Sequence, residues 1–162
     1  MYVIKNYVKI LLLSCTLLFA TTISALAEDN LFEVTGDRPS IDGIGLLDEY
    51  SKYESLSCAP AMPSSSSGIR KRICISQSGH SLEVNYYSRN DQIIRLLVFD
   101  YDFEQLQQVE QRLSKLACQK LVSERLTSFR CQQFNVTSAL QSYGNLTYNL
   151  ELCATGYCKN IE

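Results

Sequence analysis

Seven cysteines run through a chain of 162 residues, and one of them, Cys15, stands apart inside an apolar run near the start. The other six, Cys58, Cys74, Cys118, Cys131, Cys153 and Cys158, form an even set. In an exported chain an even set reads as a disulfide framework, because thiols stay paired only where no reducing pool reaches them. The compartment therefore decides how the cysteines are read.

Residues 1–27 answer that question. Lys5 and Lys9 precede the run Ile10 to Ala20 with no acidic residue between them. The run fades into Thr21-Thr22 before the roughly 20 apolar residues that a membrane-spanning helix needs. It ends in Ala25-Leu26-Ala27, small residues at the two positions a signal peptidase reads, just before Glu28. The expectation is a cleaved signal peptide, 1–27, followed by a single disulfide-stabilised domain, 28–162, in the periplasm or outside the cell. Two rivals are an uncleaved anchor and lipidation at Cys15 behind Leu12-Leu13-Ser14. The short apolar stretch after Lys9 and the bulky Leu13 argue against the second.

Removing the leader takes Lys5 and Lys9 with it. The 15 basic residues become 13 against 17 acidic ones, a net charge of −4. Phosphate backbones are gripped by clustered Lys and Arg, so nucleic acid is not an expected partner. Spacing leaves the cysteine pairing open; the preferred set is sequential, Cys58 with Cys74, Cys118 with Cys131 and Cys153 with Cys158, each closing a short loop. A metal site is not expected. Only Cys153 to Cys158 has a knuckle-like gap, the sole histidine, His80, is distant, and no C-x-x-C motif is present. No cofactor is implied.

Periodicity predicts an α+β domain: an antiparallel sheet of about five strands with one long helix packed on it and a short N-terminal helix. Glu28 to Gly45 is polar and turn-rich and reads as an extended arm. Leu46 to Leu56 has near-helical spacing of apolar residues. Pro60 to Gly68, with four consecutive serines, reads as a surface loop. Strands are expected at Arg72–Gln77, Leu82–Ser88 and Ile93–Tyr101, the last almost continuously apolar and so central. Asp102 with Gln105 forms a capping box ahead of a helix expected to run from Phe103 to about Leu121. Two more strands are expected near Thr127–Val136 and Leu146–Cys153, the second with clean alternation. Gly43-Ile44-Gly45-Leu46, placed ahead of a short helix and then strands, resembles in pattern the small BamE-like envelope proteins over Ile41 to Phe99. That resemblance implies an accessory or scaffold role. It departs from the pattern at Leu47-Asp48-Glu49 and in the six cysteines.

No catalytic residue is assigned. His80 sits in the turn Ser78-Gly79-His80-Ser81, where small polar residues serve the backbone. Asn135-Val136-Thr137 and Asn145-Leu146-Thr147 match the glycosylation sequon, which matters only in a eukaryote. Asp100, Asp102 and Glu104 lack the glycine and distal glutamate of a calcium loop, and helix capping explains Asp102. The one basic run, Arg70-Lys71-Arg72, enters a strand beside the serine loop and is suited to an anionic partner; it also serves as a charged guard on a strand start. Tyr86 and Tyr87 are adjacent on one strand, so one faces away from the core and either is a candidate contact residue; Tyr87 joins Arg70, Lys71 and Arg72 as the expected contact set. The functional expectation is a non-catalytic exported protein that binds another macromolecule, a protein in the cell envelope or outside the cell. The alternative is an exported hydrolase whose carboxylates, among them Asp100, Asp102 or Glu83, meet only in the fold.

Overall fold

The computed structural model describes residues 31–64, 68–143 and 145–157. They are mostly antiparallel β, which corrects the expected α+β class. The arm is the first departure. Phe32–Thr35 (β1), Arg38–Ile41 (β2) and Ile44–Gly45 (β3) build a small sheet in the order β1-β2-β3. Alternation carries it: Phe32, Ile41 and Ile44 are buried in the core while Glu33, Ser40 and Gly45 are not.

Nine strands form the second sheet. Ser57–Cys58 (β4), Met62–Pro63 (β5), Ile69–Ile75 (β6), Ser81–Tyr87 (β7), Ile93–Tyr101 (β8), Gln119–Val122 (β9), Leu126–Arg130 (β10), Phe134–Tyr143 (β11) and Asn145–Ala154 (β12) take part. Their order is β4-β6-β7-β8-β12-β11-β10-β9, with β5 also paired to β6. β8 lies inside the sheet, as its apolar run predicts, between β7 and β12. One face carries Leu82, Val84, Leu96, Val98, Leu150, Leu152, Val136 and Phe129 into the core. The helix α1, Phe103–Leu113, sits against β12 and buries Leu106, Val109 and Leu113.

The expected short helix is absent as well. Leu46 to Leu56 contains only a 3-10 turn, Tyr50–Tyr53. The backbone groups that a helix would use internally are committed to the turn after β7. Leu47 N–H donates to Ile93 C=O at 2.8 Å, Tyr50 N–H to Asp91 C=O at 2.7 Å, and Ile93 N–H to Asp48 C=O at 2.8 Å. Leu47 accordingly has a left-handed φ of 69°, a conformation disfavoured for a branched side chain. The second helix begins as expected, with Gln105 N–H donating to Asp102 Oδ1 at 2.8 Å and Asp102 N–H to Gln105 Oε1 at 3.2 Å. It stops at Leu113 rather than near Leu121. Cys118 is tied to Cys131, and residues 119–122 become a strand paired with β10. The span expected as one strand, Thr127 to Val136, is two, broken at the Cys131-Gln132-Gln133 turn between β10 and β11.

Gly45 is required by a close approach. A Cβ there would sit 2.7 Å from Asp48 Oδ2 and 2.9 Å from Asp48 Cγ. That carboxylate is held in place, because Tyr53 O–H donates to Asp48 Oδ2 at 2.6 Å and accepts the Gly45 N–H at 2.9 Å. Gly45→Ala is therefore expected to cost about 1–3 kcal/mol, as overpacking does. A urea unfolding midpoint equal to that of the parent would contradict this placement.

The two ends of the large sheet differ. β4 and β5 are two-residue strands, separated by Ala59-Pro60-Ala61, and both lie on the outer side of β6. At the other end β9 pairs only with β10 among the described residues. All four of its residues are exposed, Val122 by 69%.

Disulfides join Cys58 to Cys74 and Cys118 to Cys131, in agreement with two of the three expected pairs. The third expected pair involves Cys158, which lies outside the described residues, as does the leader. No helix among the described residues is long and apolar enough to cross a membrane.

Candidate functional site

Strand alternation divides Arg70-Lys71-Arg72. Arg70 pairs in register with Tyr86 and Arg72 with Val84, so both arginines share the face that carries Tyr86. Lys71 pairs with Asn85, and Ile69 with Tyr87, which puts Lys71 and Tyr87 on the opposite face. The four expected contact residues thus fall two and two.

Lys71 and Tyr87 have local partners. Lys71 Nζ lies 3.6 Å from Glu83 Oε2, and Glu83 Oε1 accepts from Arg95 Nη1 at 2.9 Å. Arg95 Nε in turn meets Glu151 Oε1, completing a row of alternating charge across β6, β7, β8 and β12. Tyr87 contacts the Tyr157 hydroxyl, with the rings edge-on at 5.7 Å, and the Arg89 guanidinium stands 5.8 Å from the Tyr87 centroid.

Arg70 and Arg72 line a groove of about 570 Å³ together with Tyr50, Glu54, Leu56, Cys58, Tyr86, Ser88 and Asp91. Its floor is built from two buried rings, Tyr50 and Tyr86, stacked with centroids 4.7 Å apart and planes at 9°. Tyr50 reaches this position because the 3-10 turn is pinned to Asp91 C=O. Tyr50 O–H donates to Cys58 Sγ at 3.3 Å, and the Cys58–Cys74 bridge fastens that wall to β6. Arg72 is fixed by both rings: its guanidinium carbon lies 5.2 Å from the Tyr50 centroid and its Nε donates to Tyr86 Oη at 3.4 Å. A cation over a tyrosine face is attracted by the ring quadrupole. The Tyr86 hydrogen bond, followed by the charge and hydrogen-bond effects of the two phenols, pushes the Arg72 pKa up against the cost of burial. Burial pushes the Tyr50 phenol up as well, so it remains a neutral donor.

Arg70, Glu54 and Asp91 are exposed, and none of the four charged lining residues forms an ion pair with another described residue. The groove is thus a polar slot with one cation held by two tyrosines, one exposed cation and two carboxylates at its walls. Its size lies within the usual range of small-ligand clefts, about 300–1,000 Å³. A neighbouring cleft of about 360 Å³ shares Arg70 and Ser88 and is otherwise lined by Ala61, Met62, Pro63, Gly68 and Ile69, the two ends of the serine loop.

Comparison with protein families, curated proteins and solved structures finds nothing that matches this chain. The site therefore stands on its own geometry. The pattern shared with BamE-like envelope proteins gains no support from that comparison, and its helix start is the 3-10 turn described above.

The carboxylates of the hydrolase alternative are placed differently from one another. Asp102 caps α1, Glu83 belongs to the charge row, and Asp100 is an exposed residue with a left-handed φ of 62°. His80 stacks on Tyr101 at 5.8 Å and its Nε2 lies 3.4 Å from Gln105 Nε2. No group of three or more His, Cys, Asp or Glu among the described residues is arranged to hold a metal ion. Tyr50, Glu54 and Asp91 are the groove residues that sequence reading missed, while Tyr86, the alternative to Tyr87, does line it. The available signal was the alternation of Arg70 and Arg72, which requires a shared face and hence a partner strand.

Proposed function

We propose that this chain is an exported, non-catalytic binding protein that engages another protein through the Arg70/Arg72 groove and the serine loop, of which residues 65–67 lie outside the described residues. The observation that carries the reading is Arg72, a guanidinium that lies over the Tyr50 ring and donates to the Tyr86 hydroxyl at the wall of a polar cleft, with Arg70 beside it and in no ion pair with a described residue. Arginines and tyrosines carry a large share of the binding energy at protein interfaces, where they sit in well-packed, desolvated pockets. The two disulfides support export, since bridges of this kind persist in oxidising compartments. A leader at 1–27, removed after Ala27, belongs to the same proposal.

The test is crosslinking in the native host followed by recovery of the tagged protein. Arg70→Ala is expected to reduce recovery of the main crosslinked partner by about tenfold, the effect of losing a substantial interface arginine. Lys71→Ala, one residue away on the opposite face, is expected to leave it unchanged. Equal recovery from the parent and the Arg70 variant, or equal losses from the two variants, would remove the groove from the interaction.

A further inference from the structure

The groove holds two cations and two anions that do not neutralise one another. Arg70, Arg72, Glu54 and Asp91 all line it, yet no nitrogen of either arginine comes within 4.0 Å of either carboxylate. Charges of opposite sign that share a cleft without pairing each keep hydrogen-bonding capacity for something else. A carboxylate accepts only, and a guanidinium donates only. A ligand bearing anions alone gains at Arg70 and Arg72 and is repelled at Glu54 and Asp91. One that carries both signs gains at all four.

The fold explains why the charges stay apart. Arg70 and Arg72 project from β6, with Arg72 held back on the tyrosine floor, whereas Glu54 follows the 3-10 turn and Asp91 lies in the turn between β7 and β8. Three separate segments carry the four charges, and the structure holds them apart. The chain as a whole is acidic, with a formal net charge of −2, and adds no long-range attraction for polyanions.

We infer that the groove recognises a mixed-charge peptide segment, in which a carboxylate meets Arg70 and Arg72 while a nearby basic side chain meets Glu54 and Asp91. This rests on the binding role proposed above and narrows the chemistry of the partner.

The experiment uses the full chain and three synthetic peptides of equal length: one alternating glutamate and lysine, one of aspartate alone and one of lysine alone. Binding is followed by calorimetry at low and at physiological salt. The alternating peptide is expected to bind most tightly. Its affinity is expected to fall about tenfold in Arg70→Gln, and by a similar factor in the double variant Glu54→Gln with Asp91→Asn, the size of losing one charge-assisted hydrogen bond. These variants keep the fold, because the side chains are exposed and asparagine tolerates the left-handed φ of 54° at residue 91. Tighter binding of the aspartate peptide, strengthened further in the Glu54/Asp91 variant, would overturn the inference and leave a simple anion site consistent with the binding role. Failure of all three peptides to bind would also overturn it, and the crosslinking comparison of Arg70→Ala with Lys71→Ala then decides separately whether the binding role survives.

Discussion

An Arg95→Met chain is expected to be less stable than the parent by about 3–5 kcal/mol, the cost of removing one partner from a buried ion pair. Glu151 is only 4% exposed, and its carboxylate is met by Arg95 Nε from the adjacent strand β8. The same guanidinium bonds Glu83, so its loss strands one buried carboxylate and releases a second. A chain of this size has a total stability of about 5–15 kcal/mol, so the variant should unfold at a much lower urea concentration. Combining Arg95→Met with Glu151→Leu is expected to recover most of the loss, because two apolar groups of similar volume leave no charge without a partner. A single variant within about 0.5 kcal/mol of the parent, the range of ordinary surface changes, would show that the row is a surface ornament rather than an internal tie.

The second large effect concerns the base of the groove. Replacing Cys58 and Cys74 together by alanine is expected to cost about 3 kcal/mol through the freed loop of the unfolded chain. The bridge spans 16 residues, and the one between Cys118 and Cys131 spans 13, so the two losses should be similar in thermal unfolding. Their consequences for binding should differ. Cys58 lines the groove and receives the Tyr50 hydroxyl, and its bridge joins β4 to β6 directly opposite Cys74. Without it Tyr50 loses a partner, and the wall carrying Glu54 and Leu56 loses its covalent tie. The Cys58/Cys74 variant should therefore lose both stability and recovery of the crosslinked partner. The Cys118/Cys131 variant should lose stability alone. Equal retention of the partner by both would separate the bridge from the site.

How far these features could be read from the residues depended on where their determinants lie. Ile93–Tyr101 was legible to the residue, because a continuous apolar run admits few alternatives. The start of α1 was legible because Asp102 and Gln105 cap it locally. The end of α1 was not: Leu116 and Ala117 continue the helical spacing, and only the tether from Cys118 to Cys131 and pairing with β10 turn the chain away. The short helix failed for a related reason, since Leu47 and Tyr50 give their amides to the turn after β7, a partner more than forty positions along. The polar arm hid a small sheet because its strands are four residues or fewer, too short for alternation to stand out. The basic run was visible as charge. Its division between two faces followed from alternation alone, but the tyrosine floor and the opposing carboxylates come from three segments that only the fold assembles.

The unequal ends of the large sheet bear on how copies of this chain can meet. Backbone groups left unpaired at a sheet edge are a template for another strand. At one end the template is cut short, in two-residue pieces interrupted by Pro60 and ended by Pro63. At the other, Gln119–Val122 offers a proline-free strand with Leu121 and Val122 open to contact. Among the described residues of the large sheet, β9 is the edge that offers an uninterrupted strand, so two copies meeting through it, β9 against β9, would each cover that edge in the other.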